Sequence, residues 1–309
     1  MGGAGRAGGI GLRMKSHGSQ YPLRPRSALE LFDVSFKLYK KYFWPLLGCT
    51  LLVWITTFPL CYFSLYLQFS FLAVIFVSVT EIAFFLALPL LYGASGCCVE
   101  AAIESRKVTF RDCIAYARQR YKVLLWAQIL ALILTILTAI ILAIFATIFV
   151  LSTNANYSLN QILFILSFTL IIIFGFYAIY FFGAAALMPL VACIEFSTLR
   201  VKDLAKRCYS LFSGRARSLC LLVFTHGLGM VILYAISFVI AEELFRLTTV
   251  SFGGHMFLIG VVVMFYSILL ITMLWSPFYL LSLGTFYIDT RIRKEGFDLE
   301  YQLSHPDEN

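Results

Sequence analysis

Six apolar runs, each long enough to cross a lipid bilayer as a helix, constrain this chain more than any other feature. A transmembrane helix needs about 20 consecutive apolar residues. Inside lipid, every backbone polar group must be satisfied within a helix or a closed barrel. The sequence therefore predicts an all-α, polytopic membrane protein with about six transmembrane helices. The runs lie at 44–67, 69–95, 124–150, 162–190, 218–241 and 256–284.

The basic residues alternate with these runs and predict the orientation of the chain. Its 24 Lys and Arg residues lie at 1–43, 96–123, 195–218 and 285–309, with Arg246 as the exception. Positively charged loops stay on the cytoplasmic side of a membrane. We therefore expect a multi-pass protein of the cell inner or plasma membrane, with both termini in the cytoplasm. This placement explains the net charge of +8, so no nucleic-acid partner is expected, and the expected partner is a lipid bilayer with anionic headgroups.

The two ends of the chain are predicted to lie outside the membrane domain. Residues 1–26 are rich in Gly, Arg and Ser and contain no apolar run, which predicts a disordered basic tail. Residues 27–303 form the expected six-span membrane domain, and 304–309 form a short tail.

Three amphipathic helices are predicted, each directly before a membrane span. Ser27 and Glu30 form a capping-box pattern at the start of the first helix, and Thr109 with Asp112 opens the second. The third begins near Val201 and lacks this pattern. Helices of this kind lie in the headgroup region. The expected apolar face of the first helix is Leu29, Phe32, Phe36, Tyr39 and Phe43. The expected interfacial basic residues are Lys37, Lys40, Lys41, Arg118, Lys206 and Arg207.

Each amphipathic helix and the two spans that follow it form a predicted repeat. The repeats cover about 27–96, 109–195 and 201–289. We interpret them as three copies of one unit, an interfacial helix plus a two-span hairpin, arranged with pseudo-threefold symmetry. Coincidence among apolar segments is the alternative explanation.

Two features recur near the end of the second span of each repeat. A proline, where a helix break is expected, is found at Pro89, Pro189 and Pro277. An apolar–acidic pair follows, as Val99-Glu100, Ile194-Glu195 and Ile288-Asp289.

The C-terminal run from Phe286 to Glu300 carries a family resemblance. It looks like the closing signature of the bacterial glycerophosphoryl diester phosphodiesterase membrane-domain family, and residues 31–43 and 203–211 are similar to two of that family's interfacial helices. Thr290 departs from the Leu that is common there. The residues of the motif are Asp289, Arg291, Arg293, Glu295, Gly296, Phe297 and Asp298.

The resemblance implies an architecture rather than an activity. The family takes its name from proteins in which such a membrane domain is fused to a separate phosphodiesterase domain. The resemblance covers about 27–303, which leaves no room for that catalytic domain.

Three polar residues inside the apolar runs are candidate functional groups. Glu81 lies midway along the second run, and a charged side chain there is costly and by default functional. It could form a proton or cation site between helices. Alternatively it could hydrogen-bond across helices, with Gln128 or His226 as its partner.

No catalytic constellation is found in the sequence. There is no HExxH motif, no phosphate-binding GxxxxGK[ST] loop and no Cys/His cluster, so we expect no metal and no cofactor. Gly93-Ala94-Ser95-Gly96 matches the GxSG pattern of intramembrane serine proteases. Ser95 lies at a helix end, whereas His226 is about eight residues into its span, or roughly 12 Å away at 1.5 Å per residue. A protease is therefore not expected.

The preferred functional hypothesis is a non-enzymatic membrane protein. It would scaffold or regulate an envelope or lipid-related process through a protein partner on its cytoplasmic face and through anionic lipid. The alternative is a small transporter or lipid-handling protein that uses the bundle interior with Glu81. The sequence does not indicate an oligomeric state.

Overall fold

The protein is helical throughout the part of the chain that the structure describes. The computed structural model describes residues 25–66, 71–153, 169, 183–195, 203–252 and 256–296. Eight helices occupy these ranges. They are α1 (Ala28–Lys41), α2 (Phe43–Tyr66), α3 (Phe71–Ile103), α4 (Phe110–Thr153), α5 (Gly183–Ile194), α6 (Leu204–Phe212), α7 (Ala216–Phe252) and α8 (Met256–Glu295).

Some of the sequence predictions concern residues outside these ranges. They include the basic tail at 1–24, most of 162–182 in the fourth predicted span, and residues 201–202 at the start of the third amphipathic helix. Phe297, Asp298 and the tail at 304–309 also lie outside the described residues.

Four helical stretches are long and apolar enough to cross a membrane. They are Ser78–Ile103, Phe110–Ile141, Ala216–Ile240 and Ser267–Glu295. Shorter apolar helical stretches occur at Phe43–Ile55 and Gly183–Ile194. The fold is therefore that of a helical membrane protein, as the apolar runs predict.

The capping box of α1 forms as predicted, but the buried face of the helix is rotated from the expected one. The Ser27 hydroxyl accepts a hydrogen bond from the Glu30 N–H, and the Glu30 carboxylate accepts one from the Ser27 N–H. The buried side chains of α1 are Leu31, Ser35 and Leu38. Leu29 and Phe36 from the expected apolar face are exposed. Ser35 can be buried at this position because its hydroxyl bonds to that of Thr285 on α8 at 2.7 Å, which satisfies the polar group.

The second amphipathic helix is not a separate element. Thr109 and Asp112 form the predicted cap, but the helix continues from Phe110 to Thr153 without a break. No Gly or Pro interrupts this sequence, so nothing ends the helix before the apolar run. The third amphipathic segment does end, at Phe212, and Gly214 adopts a positive φ of 84° in the turn before α7.

Small residues let α3 pack closely against three neighbouring helices. A side chain added at Gly93 would lie 2.4 Å from the Cβ of Ala117 on α4. At Gly96 it would lie 2.9 Å from the Cys193 sulfur on α5. Gly284 of α8 approaches Val99 of α3 in the same way. This close packing is how helices associate within lipid, and it brings the ends of α3, α5 and α8 together.

Candidate functional site

The basic residues that the structure describes gather at one end of the helix bundle. They lie on α1, on the connection from α3 to α4 and the first turns of α4, on α6 and the turn after it, and at the end of α8. We call this the basic end. Among the described basic residues, only Arg246 lies elsewhere. It is on α7, where its Nη1 lies 3.6 Å from Oε1 of Glu243. The grouping agrees with the alternation of basic and apolar segments in the sequence.

A buried carboxylate holds three parts of the basic end together. Asp289 on α8 is 1% exposed. Its Oδ2 contacts Nη1 of Arg215 at 2.6 Å and Nε of Arg293 at 3.2 Å. Its Oδ1 accepts a hydrogen bond from the backbone N–H of Arg26 at 2.7 Å. Because a buried charge must be paired, Asp289 ties the start of α1 and the start of α7 to α8.

Arg215 is further fixed by its surroundings. Its Nη1 also donates to the Thr290 hydroxyl at 2.9 Å, and its guanidinium lies 4.8 Å from the ring centre of Phe286. Burial lowers the pKa of Arg215 from its ordinary value, and the charge of Asp289 opposes that change. An arginine remains charged under these conditions.

A second buried carboxylate, Glu195 after α5, lies on the other side of α8. It is 8% exposed and accepts bonds from Nε and Nη2 of Arg207, at 2.9 and 2.7 Å, and from the Tyr287 hydroxyl at 2.6 Å. Arg207 also bonds to Glu295, at 3.0 Å through Nη2. Its bonds to Glu195 and Glu295 raise the pKa of Arg207 although burial opposes them. This network joins α5, α6 and α8.

The acidic residue of the first predicted repeat has a corresponding partner. The Tyr116 hydroxyl on α4 donates to the Glu100 carboxylate on α3. The guanidinium of Arg120 stacks over the Tyr116 ring at 3.6 Å. In each apolar–acidic pair, the acid therefore bonds to another helix of the basic end. Glu100 and Glu195 bond to the helix that follows them in the sequence, α4 and α6, and Asp289 bonds to the start of α1.

The other predicted interfacial basic residues are exposed. Lys37 pairs with Asp33 at 2.7 Å on the surface of α1, and Lys40 and Lys41 lie over the rings of Phe36 and Tyr42. Arg118 and Lys206 are exposed as well. Arg207 differs from this group because it belongs to the Glu195 network.

The predicted helix-break prolines do not break their helices. Pro89 lies inside α3, Pro277 inside α8, and Pro189 inside α5. A proline removes one backbone N–H and leaves the carbonyl four residues earlier without its donor. Inside a membrane bundle, neighbouring helices satisfy the freed group, so the helix continues.

Gln128 supplies the missing donor at Pro89. The carbonyl that Pro89 leaves free is that of Phe85, and the Gln128 side-chain amide on α4 donates to it at 3.1 Å. The Tyr121 hydroxyl bonds to the next carbonyl, that of Leu86, at 2.8 Å. Gln128 is thus an interhelical hydrogen-bonding residue, with a backbone carbonyl rather than Glu81 as its partner.

A similar bond is found at Pro277. The Tyr39 hydroxyl of α1 donates to the carbonyl of Leu274, three residues before Pro277, at 2.8 Å. Leu86 likewise lies three residues before Pro89. Tyr39 and Tyr121 also occupy the same position relative to Ser27 and Thr109, the first residues of their capping boxes.

His226 is a packed histidine. It is 2% exposed and has four aromatic neighbours with ring centres 4.8–5.6 Å away, Phe32, Trp275, Phe278 and Tyr279. Neither of its ring nitrogens has a hydrogen-bond partner among the described residues. It therefore does not pair with Glu81 and does not activate Ser95, which is itself fully buried in α3.

Glu81 lies on the exposed surface of α3. The neighbouring Ile82 is 60% exposed, which is typical of a surface facing lipid. The Gln128 amide bonds to the Phe85 carbonyl, and neither ring nitrogen of His226 has a partner among the described residues. The interhelical pairing, one of the two alternatives for Glu81, is therefore wrong for these partners. Sequence alone does not reveal the rotation of α3 that decides this, because the run around Glu81 is apolar on all sides.

The C-terminal motif is the part of the sequence prediction that contributes most residues to the site. Asp289 and Arg293 pair with each other, and Arg291 bonds to Glu295 at 2.9 Å. Gly296 has a positive φ of 62° and follows the last residue of α8, where glycine commonly ends a helix.

Sequence reasoning did not identify Arg215, Tyr116 or Tyr287. Arg215 and Tyr116 lie in or beside an amphipathic segment and have no local motif, and Tyr287 lies in the C-terminal run but was not singled out there. A buried acid was the available signal, because each of Glu100 and Asp289 at a membrane boundary requires a donor from elsewhere in the chain.

Replacing Asp289 should destabilise the protein strongly. In Asp289→Asn, Arg215 and Arg293 lose their counter-ion inside the basic end. We therefore expect the free energy of unfolding to fall by about 3–5 kcal/mol. Asp33→Asn removes only an exposed pair and should leave the thermal unfolding of the purified protein unchanged. Equal unfolding temperatures for the two variants would show that Asp289 does not hold the basic end together.

The pairing of Gln128 with the carbonyl freed by Pro89 can be tested with a double-mutant cycle. Gln128→Leu should lower the free energy of unfolding by about 0.6–1.7 kcal/mol in the otherwise unchanged protein. In a Pro89→Ala background the restored N–H bonds to Phe85, so the same change should cost less. Unfolding of all four proteins in detergent measures the coupling. Equal costs in both backgrounds would contradict the assignment.

Comparisons with known proteins returned no match: no family model matches the chain, and no curated protein or solved structure does. The proposals for its role therefore depend on the geometry of the basic end.

Proposed function

We propose that this protein is a non-enzymatic, multi-pass membrane scaffold that presents its basic end to an anionic protein partner and to anionic lipid in an envelope or lipid-related process. The observation that carries this proposal is the contrast between the inside and the outside of the basic end. Inside, the carboxylates of Asp289 and Glu195 accept bonds from protein donors. Outside, many Lys and Arg side chains are exposed.

The bonded state of the buried acids supports a structural role for them. Both oxygens of Asp289 and both oxygens of Glu195 accept bonds from the protein. A general acid or base needs an oxygen that can reach a substrate. The lysines of α1 are instead exposed on the surface, where a partner can reach them.

The proposed orientation places the basic end in the cytoplasm. The positive-inside rule supports it, because the described basic residues other than Arg246 share this end. Each basic residue near an anionic membrane surface contributes about 1 kcal/mol of attraction. The proposed location is the cell inner or plasma membrane, with six spans and with both termini in the cytoplasm.

The proposal includes the three-repeat architecture, which contacts between repeats support. Tyr39 of the first repeat and Tyr121 of the second occupy the same position relative to the first residues of their capping boxes, Ser27 and Thr109. Tyr116 has no such counterpart, because the first repeat has Val34 at that position. Tyr121 of the second repeat bonds near Pro89 of the first, and Tyr39 of the first bonds near Pro277 of the third. Such contacts fit a ring in which the third repeat meets the first. Pro189 does not fit this register, because it lies only six residues before Glu195.

The structure is compatible with the family resemblance but gives no support to the transporter alternative. The described residues of the C-terminal motif, Asp289 to Gly296, lie within the basic end, which is compatible with the architecture of the glycerophosphoryl diester phosphodiesterase membrane-domain family that the motif resembles. A transport role would use Glu81 in the bundle interior. The exposed position of Glu81 on α3 gives that role no support.

The scaffold proposal is tested by reversing the exposed charges of α1. Lys37, Lys40 and Lys41 should be replaced together by Glu, with replacement by Arg as the matched control. The proteins are extracted with their native lipids, and bound proteins and lipids are quantified by mass spectrometry. We expect a near-stoichiometric protein partner with the original chain and the Arg variant, and its loss in the Glu variant because attraction becomes repulsion.

Two results would contradict the scaffold proposal. In the first, the same protein partner remains bound to the Glu variant. In the second, a single enriched lipid or small molecule is found without a protein partner, which would favour the lipid-handling alternative.

A further inference from the structure

A cleft of about 450 Å³ opens at the basic end where three elements meet. The start of α1, the turn between α6 and α7 with the first turn of α7, and the end of α8 form its walls. Four basic residues line it, Arg26, Arg215, Arg293 and Lys294, together with serine side chains that include Ser213 and Ser218. None of the exposed lysines of α1 belongs to it.

The cleft carries an excess of positive charge. Asp289, which is almost fully buried, pairs with Arg215 and Arg293 and compensates one of their two charges, and Lys294 adds a further positive charge. Among the residues that the structure describes, no acidic side chain lines the cleft. Glu295 is bonded to Arg207 and Arg291 and is directed away from the cleft's cations. The remaining excess favours an anionic ligand.

The two arginines of the cleft have hydrogen-bond donors to spare. A guanidinium has five N–H groups. Arg215 uses Nη1 for Asp289 and Thr290, and Arg293 uses Nε for Asp289 and Nη2 for the Arg26 carbonyl. Nε and Nη2 of Arg215 and Nη1 of Arg293 have no acceptor among the described residues. Because stacking on Phe286 and the bonds to Asp289 fix these groups, their free N–H groups are already oriented.

Lys294 contributes charge rather than a direct bond. Its ammonium donates to the carbonyl of Ser210 at 2.8 Å and to the carbonyl and hydroxyl of Ser213. These contacts close the end of α6 and hold the turn that carries Gly214. The lysine thus shapes the wall of the cleft and adds to its positive potential.

The start of α7 supplies backbone donors beside the arginines. The Leu219 N–H makes a helical bond, to the Arg215 carbonyl at 3.1 Å. The amides of residues 216–218 precede it in the first turn, where no intrahelical acceptor exists. Free amides at a helix start, hydroxyls and a guanidinium with free N–H groups form the chemistry that binds phosphate.

We propose that this cleft binds a phosphate group, either the headgroup of an anionic phospholipid or a soluble phosphate. The inference rests on the scaffold proposal in one respect, because the cleft lies at the basic end that the scaffold proposal presents to anionic lipid. Its residues are not those of the α1 surface that the charge-reversal test uses, so the two tests can fail separately. A ligand here bridges α1, α7 and α8 and reinforces the same contacts that Asp289 makes.

The first variant introduces a negative charge into the cleft without touching the partners of Asp289. Ser218→Glu places a carboxylate in the first turn of α7, where a negative charge is compatible with the helix. Ser218→Gln is the neutral control of equal length. Arg293→Gln is a second variant that removes one cation and leaves Arg215 on Asp289.

Each full-length protein is placed in phosphatidylcholine bilayer discs. One set of discs also contains phosphatidylglycerol, and retained lipid is measured by native mass spectrometry. The other set is titrated with inorganic phosphate in a calorimeter. We expect binding by the unchanged protein and by Ser218→Gln, and an affinity lower by roughly tenfold in Ser218→Glu and Arg293→Gln.

The two probes separate the sources of the phosphate group. Selective retention of phosphatidylglycerol, with no binding of inorganic phosphate in pure phosphatidylcholine discs, identifies a lipid headgroup site. Saturable binding of inorganic phosphate in pure phosphatidylcholine discs identifies a soluble phosphate site. Absence of binding of either probe by the unchanged protein overturns the proposal, and so does equal binding by the unchanged protein and both charge variants.

Discussion

The burial of the Asp289 carboxylate is the interaction on which the basic end depends. A charge removed from water is costly unless oppositely charged or hydrogen-bonding groups surround it. Here these groups come from positions far apart in the sequence: the Arg26 N–H, the Arg215 guanidinium and the Arg293 guanidinium. Since no single helix provides them, α1, α7 and α8 must meet for the carboxylate to be buried. The Glu195 network extends the same requirement to α5 and α6.

A second constraint acts further along the helices, where backbone N–H and C=O groups cannot form hydrogen bonds with water and need partners within the protein. Pro89 removes the donor for the Phe85 carbonyl, and Gln128 of the adjacent helix replaces it. The Tyr39 hydroxyl serves the carbonyl of Leu274 near Pro277. These side-chain bonds fix the rotation and height of one helix against another. The prolines therefore act as points of helix contact rather than as helix ends.

Local signals in the sequence predict much of this fold. Four of the described helices are long and apolar enough to cross a membrane, as the apolar runs predict. The Ser27 and Thr109 patterns give two helix starts, and the described basic segments share one end. These predictions succeed because each depends on a few neighbouring residues. The length of α4 was missed because an amphipathic segment was expected to end where the apolar run began. Without a Gly or Pro between them, the helix simply continues.

The candidate site was predictable only in part, for the same physical reason. Asp289 and Arg293 stand in one motif, whereas Arg215 is found only once the helices are assembled. Glu81 and His226 drew attention as polar residues in apolar runs. Their environments depend on how each helix is rotated, and an evenly apolar sequence does not encode that rotation locally. Glu81 is exposed, and His226 is enclosed by aromatic rings.

The central claim is that the first helix packs on the end of the last through a contact fixed by buried polar groups. A disulfide cross-link measures this most directly, since the hydroxyls of Ser35 and Thr285 lie 2.7 Å apart. After mild oxidation in membranes, mass spectrometry should detect the cross-linked peptide in Ser35→Cys/Thr285→Cys. It should not detect it in Asp33→Cys/Thr285→Cys, because Asp33 lies on the exposed face of α1. Absence of the first cross-link, or equal yields from both pairs, would contradict the account.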